Sequence, residues 1–315
     1  MTMLDSLSPV QAVIGGIYAL LIVASVLVAV LRRSKPGDAT TELTKRVVSW
    51  WWMITVFTIA VLTDRVVSTV FLGFVSFLAL KEYLSLIPTR RVDRSILIFV
   101  YVAIPVQFYF AHITRFGLFM TFIPVWMFLF LPGLMTVMGR TEGFLRAVGM
   151  LSWGMMITVF SLGHTALLLS FGAKTSYGAG PLLFLVVLTQ FNDVAQFTWG
   201  KLLGRHKIVP SVSPNKTWEG FLGGLVTTTL IARVLGPYLT PMPELWSALA
   251  GFIIAGTGFI GDITISAFKR DLGVKDASNL IPGHGGILDR VDSLVYSAPV
   301  FFHFMNYFFF NGRAL

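Results

Sequence analysis

Long apolar runs alternate with short charged breaks along the whole chain. The first run covers residues 9–31 and ends at Arg32, Arg33 and Lys35. A polar stretch, 32–46, leads to a second run at about 47–62 that opens on Trp50, Trp51 and Trp52, side chains that settle at a membrane–water interface. Asp64 and Arg65 make a turn, and a third run continues to about 87. Further runs cover 95–111, 116–138, 147–171, the segment from Pro181 to the polar loop 199–220, then 221–239, 245–261 and 294–310. A helix needs about 20 apolar residues to cross a bilayer. These runs are continuous, whereas a membrane β-barrel would alternate apolar and polar positions. The pattern predicts an all-α polytopic integral membrane protein with about ten transmembrane helices.

The breaks set the expected topology. Loops after every second run hold nineteen of the 24 Lys and Arg residues, and such loops stay in the cytoplasm. Both termini are therefore expected outside, with loops 199–220 and 269–290 cytoplasmic. The membrane is the inner (plasma) membrane if the source is bacterial. Basic residues follow the first run instead of preceding it, so it reads as a retained span and not a cleaved signal. Two regions result: 1–180, an N-terminal six-span membrane region, and 181–315, a C-terminal catalytic membrane region with a cytoplasmic-facing site.

Composition supports the membrane reading. Of the 315 residues, 55% are hydrophobic and 12% charged, against about 25% charged in a soluble domain. The chain has no cysteine, which excludes thiol nucleophiles, disulfides and Cys-ligated metal. The net charge of +9 comes without a basic face interleaved with aromatics, so it reflects loop bias and not a nucleic-acid partner. Lone His112 reads as an interfacial residue, and His164, inside a span, as a structural hydrogen-bonding group.

Charge concentrates between Gly261 and Ser293. Asp262, Asp271, Asp276, Asp289 and Asp292 are five of the fifteen carboxylates, interleaved with Lys269, Arg270, Lys275 and Arg290. Ionisable groups beside apolar spans are costly unless they face a polar cavity, so such a cluster marks a functional site. Asp262, Ser266, Lys269 and Arg270 share one helical face at spacings of four, seven and eight. Asp289, Asp292 and Ser293 open the last span. Between them lies Pro282-Gly283-His284-Gly285-Gly286, a glycine-rich loop running into a helix start, which is a natural phosphate site. Carboxylates and phosphates share a site when a divalent cation bridges them. The combination points to metal-assisted phosphoryl or nucleotidyl transfer, with a salt-bridged re-entrant loop of a transporter as the alternative. Two other elements accompany it. Ser213-Pro214-Asn215-Lys216-Thr217-Trp218-Glu219-Gly220 precedes a span, and Ser213 or Thr217 is able to cap that helix, with Glu219 completing the cap. Asp193 lies in the seventh run beside Asn192 and Gln196, where a carboxylate needs a cation, a lysine or hydrogen bonds.

The run Ser266-x-x-Lys269-Arg270-x4-Lys275-Asp276-x5-Pro282-Gly283-His284-Gly285-Gly286-x-x-Asp289-Arg290-x-Asp292 resembles the motif of phosphatidate cytidylyltransferases, also called CDP-diacylglycerol synthases. SPNKTWEG is similar to that family's S-P-x-K-T-x-E-G element, and Asp193-x-Ala195 with Gly200 and Gly204 to its D-x-x-A-Y-x-x-G-x-x-x-G region. The resemblance covers roughly residues 181–300. It implies synthesis of CDP-diacylglycerol and pyrophosphate from CTP and phosphatidic acid, in phospholipid biosynthesis, with Mg²⁺ as cofactor. Carried over by position, it implies that Asp262 and Asp289 bind the metal. Lys269, Arg270, Lys275, His284 and Arg290 would surround phosphates, with Asp276 and Asp292 completing the catalytic set. Ser213, Lys216, Thr217 and Glu219 would bind substrate from the side loop, together with Asp193, Ser266, Gly285 and Gly286. Gln196 departs from that element, which suggests a paralogous branch and bears on the lipid substrate more than on the chemistry. The expected partners are CTP, phosphatidic acid or a related lipid phosphate, and membrane lipids; a homodimer is compatible with the sequence. Two rivals remain: a CTP-dependent kinase of a lipid alcohol, and a transporter with an intramembrane charged path.

Overall fold

The charged and Pro/Gly breaks of the sequence separate the helices, several of which run further than the apolar runs themselves. The computed structural model describes residues 8–35, 37–88, 94–138, 141–173, 177–278, 280–281, 283 and 285–310. The described residues form ten helices and no strand: α1 (Pro9–Ser34), α2 (Asp38–Leu62), α3 (Arg65–Leu86), α4 (Leu97–His112), α5 (Phe116–Val137), α6 (Phe144–Phe171), α7 (Gly180–Leu203), α8 (Trp218–Leu239), α9 (Glu244–Asp271) and α10 (Leu288–Phe309). Two wide π-helical segments, Phe122–Met127 and Met156–Phe160, interrupt α5 and α6. The chain is an all-α polytopic integral membrane protein, and eight of its helices are long and apolar enough to cross a bilayer. The other two differ for distinct reasons. α4 is apolar but has only 16 residues. α10 has 22 residues, but Asp289, Asp292, Ser293, Ser297 and Asn306 on it are buried inside the protein. Arg90, Arg91, Arg140 and both chain ends, which entered the topology reading, lie outside the described residues.

Helix bounds exceed the apolar runs wherever polar residues have a place to go. α2 begins at Asp38, not near 47. α9 continues ten residues beyond Gly261 to Asp271, and α10 starts at Leu288, not 294. Apolarity marks what faces lipid; backbone hydrogen bonding continues as long as the side chains find water or partners.

α7, α8, α9 and α10 pack consecutively, and α10 also packs on α6 and α3. Small residues set the distances, as in other helix contacts within membranes. A Cβ on Gly261 of α9 would lie 2.4 Å from the Asp292 carbonyl oxygen, so α9 and α10 meet backbone to backbone beside the charged residues. The N-terminal helices grip this unit through α3. The Tyr83 ring stacks on Phe268 of α9 at 4.8 Å, and its hydroxyl donates to the Met150 carbonyl of α6 at 2.8 Å. His164 is buried in α6, its Nδ1 2.9 Å from the Phe160 carbonyl oxygen and its ring set edge-on to Phe119 and Phe160. That is the structural hydrogen bond expected for it.

Candidate active site

The loop 204–217 aims Lys216 inward. Lys207 and Thr217 form an isolated antiparallel bridge, the Ile208 N–H donates to the Lys216 carbonyl at 3.2 Å, and the Trp218 N–H donates to that of His206 at 2.9 Å. Thr217 then caps α8 by accepting the Gly220 N–H at 3.2 Å. Lys216, one residue before the cap, reaches into the bundle. Its Nζ lies 2.5 Å from Asp262 Oδ2 of α9 and donates to Gln196 Oε1 of α7 at 3.0 Å. The ammonium also lies 5.7 Å from the centre of the Phe259 ring, within range of a cation–π contact. Gln196 fits against α8 because residue 224 is glycine; a Cβ there would come within 2.4 Å of Gln196 Cγ.

Three carboxylates from three helices face this lysine. Asp193 of α7, Asp262 of α9 and Asp292 of α10 lie within electrostatic reach of one another and of Lys216. The Ser293 hydroxyl donates to Asp193 at 3.4 Å, and that of Ser266 donates to Asp262 Oδ1 at 3.4 Å. Burial pulls the Lys216 pKa down, but Asp262 and then Asp193 outweigh it and hold the ammonium above the ordinary lysine value. Two donors in this neighbourhood, Gln196 Nε2 and Arg290 Nε, are buried with no hydrogen-bond partner among the described residues.

Asp289 sits in a different environment from Asp262. Its Oδ1 lies 2.5 Å from Lys269 Nζ, a pair almost wholly buried. Its Oδ2 accepts the N–H groups of Ala277 and Gly286, both at 2.9 Å. The carboxylate thus ties both ends of the segment 277–286 to the start of α10. Gly285, with φ +78°, holds a turn that L side chains resist. The two aspartates expected to share a metal are each paired to a separate lysine.

The remaining predicted residues divide between this site and its supports. Arg270 is exposed and donates to the carbonyls of Val212 at 3.2 Å and Val274 at 3.3 Å, stapling the side loop to the segment after α9. Ser213 is half-buried and serves that loop through its backbone, donating to Val209 and accepting from Lys216. Glu219 does not complete the helix cap. It accepts the N–H groups of Arg205 and His206 and pairs with His206 Nδ1 at 2.6 Å. Lys275 and Asp276 are exposed. His284 and Pro282 lie outside the described residues.

Sequence reasoning missed Glu82. This α3 residue is buried, and its carboxylate accepts the Ser278 hydroxyl at 2.7 Å and the N–H groups of Ile287 at 3.0 Å and Leu288 at 2.8 Å. A Cβ on Gly286 would lie 2.4 Å from Glu82 Oε2, so that glycine admits the carboxylate. The only local signal is an acidic residue closing an otherwise apolar run; its partners are some 200 residues away in sequence.

A model described as the Cytidylyltransferase family matches residues 44–308. The chain is 42% identical over 295 residues to a protein of Escherichia coli (strain K12) named uncharacterized protein YnbB, covering 93% of this chain and 97% of that one. It is 41% identical over 146 residues to a phosphatidate cytidylyltransferase of Mycobacterium leprae (strain TN), covering 45% of this chain and 47% of that one. A phosphatidate cytidylyltransferase of Haemophilus influenzae is 41% identical over 138 residues, covering 42% and 47%. The matches to these two enzymes span about half the length of each.

Proposed function

The chain belongs to the cytidylyltransferase family, and we propose that it is a membrane-embedded nucleotidyltransferase acting on CTP and phosphatidic acid or a related lipid phosphate. A phosphate oxygen of the lipid attacks the α-phosphorus of CTP, the bond to the β-phosphate oxygen breaks, and pyrophosphate leaves. The attacking oxygen is already ionised, so no strong general base is required. The residues position two polyanions and neutralise developing charge.

The observation that carries this reading is Lys216, held between Asp262 and Gln196 at 2.5 and 3.0 Å. A fixed cation in a largely buried site stabilises charge on a phosphate or on departing pyrophosphate far better than one in water. The Gln196 and Arg290 donors that have no partner among the described residues offer further hydrogen bonds to phosphate oxygens. Asp289, Glu82 and Arg270 hold the segments that bring these groups together.

Mg²⁺ fits the donor set. Asp193, Asp262 and Asp292 are hard oxygen donors from three helices, and their mutual repulsion favours a cation among them. Among the described residues no three Asp, Glu or His side chains are grouped closely enough to hold an ion. Mg²⁺ commonly takes one or two carboxylates and completes its shell with water and substrate phosphates. Asp262 is the proposed principal ligand, with Asp193 or Asp292 beside it, and Asp289 serves the loop. When bound, the ion would neutralise phosphate charge and orient CTP. The test is pyrophosphate release by purified protein from CTP and Mg²⁺, with phosphatidic acid, lysophosphatidic acid or a polyprenyl phosphate as acceptor. Release with at least one of them is expected. Phosphorylation of diacylglycerol without pyrophosphate release would replace this reading with the kinase.

A further inference from the structure

A second feature lies outside the Lys216 site. A groove of about 570 Å³ runs between α1 and α2. Its walls include Val28, Val47 and Val48, its side is formed by Trp51, and Arg32 and Arg33 stand at one end. Trp51 is fixed by its indole N–H, which donates to Ser25 Oγ at 3.0 Å. Among the described residues no carboxylate lines the groove.

We infer that this groove seats the lipid substrate, a phosphomonoester on acyl chains, beside the nucleotide site. The chemistry of α1 changes in order along its length. Val28 and Arg32 are one helical turn apart, a rise of roughly 6 Å. Over that distance the surface changes from aliphatic to doubly cationic. The same step separates the acyl chains of a lipid from its phosphate. Lipid-facing residues before it, such as Val23, Val26 and Leu27, are exposed and aliphatic, so an acyl chain enters from the bilayer without crossing polar surface.

The groove is also continuous with the site. Thr44, Val47 and Val48 of α2 line the groove. The intervening Lys45 and Arg46 lie against the glycine-rich loop; a Cβ on Gly283 would sit 3.2 Å from Arg46 Cγ and 3.7 Å from Lys45 Cβ. One turn of α2 therefore forms the groove wall on one side and meets the loop before Gly286 and Asp289 on the other. The Arg46 guanidinium is paired to Glu42 at 2.5 Å, which leaves Arg32 and Arg33 as the charges facing an occupant. α1 also touches α7 and α8, the helices on either side of Lys216. Guanidinium groups stay charged at every working pH and attract the phosphate through that charge. A free phosphate ion would gain nothing from the aliphatic walls, so the occupant is the lipid.

The inference rests on the proposed reaction, and the experiment separates the two. Wild-type protein is compared with the Arg32→Gln/Arg33→Gln double variant, the Arg32→Lys/Arg33→Lys double variant and Val48→Trp, which fills the groove. Turnover is measured in phosphatidylcholine nanodiscs with increasing phosphatidic acid. Retention of phosphatidic acid by the purified protein is measured by native mass spectrometry without CTP. Two membrane-surface charges should be worth roughly 30-fold in lipid affinity. The Gln variant is expected to need that much more lipid for half-maximal rate, while its requirement for CTP moves less than about twofold. Retention should fall in the Gln and Trp variants and survive in the Lys variant, and glycerol 3-phosphate should not displace the lipid. Unchanged lipid dependence and retention in both the Gln and Trp variants would overturn the groove, as would displacement by glycerol 3-phosphate. Retention that depends on the groove in a protein without any cytidylyl transfer would support the groove and sink the proposed reaction.

Discussion

Glu82 accepts the backbone N–H of Leu288 at 2.8 Å across 206 residues of sequence. Ile287, just before α10, makes no side-chain cap of its own. Glu82 supplies that cap from α3, and the negative charge complements the helix N-terminus. Glu82→Ala should leave buried donors unsatisfied at about 1–3 kcal/mol each. The expected outcome is a lower unfolding temperature and a loss of turnover. Glu82→Gln, which keeps one acceptor oxygen, should fall between the two. Thermal unfolding and CTP turnover on the same preparations check this; an Ala variant with wild-type values in both would remove Glu82 from the account.

The separate partners of Asp262 and Asp289 predict different failures for their Asn variants. Asp289→Asn strips a buried lysine of its counter-charge, a loss of about 3–5 kcal/mol, and should appear as reduced thermal stability. Asp262→Asn should unfold near the wild-type temperature yet need far more Mg²⁺, with turnover poorly restored at any concentration. Mg²⁺ titration beside thermal unfolding distinguishes them. Identical Mg²⁺ responses in both variants would mean that the two aspartates share one metal after all.

Much of this was legible in the chain because the signals were local. Apolar runs marked the helices, and the spacing of Asp262, Ser266 and Lys269 placed them on one face of α9. Thr217 was readable as a cap for the same reason. Pairings across the bundle were not legible. Nothing near Lys216 in sequence says that Asp262 and Gln196 will meet it, and nothing near Glu82 announces the loop it holds. Glu219 went astray because two competing local acceptor roles look alike in sequence; the preceding turn at Arg205 and His206 took the carboxylate. The departure at Gln196 acquires a physical sense only from the fold, as an acceptor for the site lysine.

Lys216→Ala should lower turnover by about 10²-fold or more with folding intact, and Lys216→Arg should not restore it, because a planar fork does not replace a point charge between Asp262 and Gln196. The raised pKa also fixes a sign. The charged form persists at every pH below the ordinary lysine value of about 10.4 and is lost only as pH rises through the higher folded value. Between pH 6 and 9 the wild-type rate should show no limb due to Lys216. An alkaline limb near pH 8 that disappears in Lys216→Ala would contradict this.

Orientation is open to direct labelling, since the chain contains no cysteine. Lys207→Cys, in the loop before α8, should react with a membrane-impermeant maleimide only after the membrane is breached. Labelling of intact cells would invert the topology read from the basic residues.

The central claim concerns which bond of CTP breaks. Purified protein with Mg²⁺ and phosphatidic acid is given CTP labelled at the α-phosphorus in one reaction and at the γ-phosphorus in another. The account predicts that α-label enters the lipid fraction as CDP-lipid while γ-label is released as pyrophosphate. Transfer of γ-label to lipid with release of CDP, or no transfer of either label to any lipid phosphate, would contradict it.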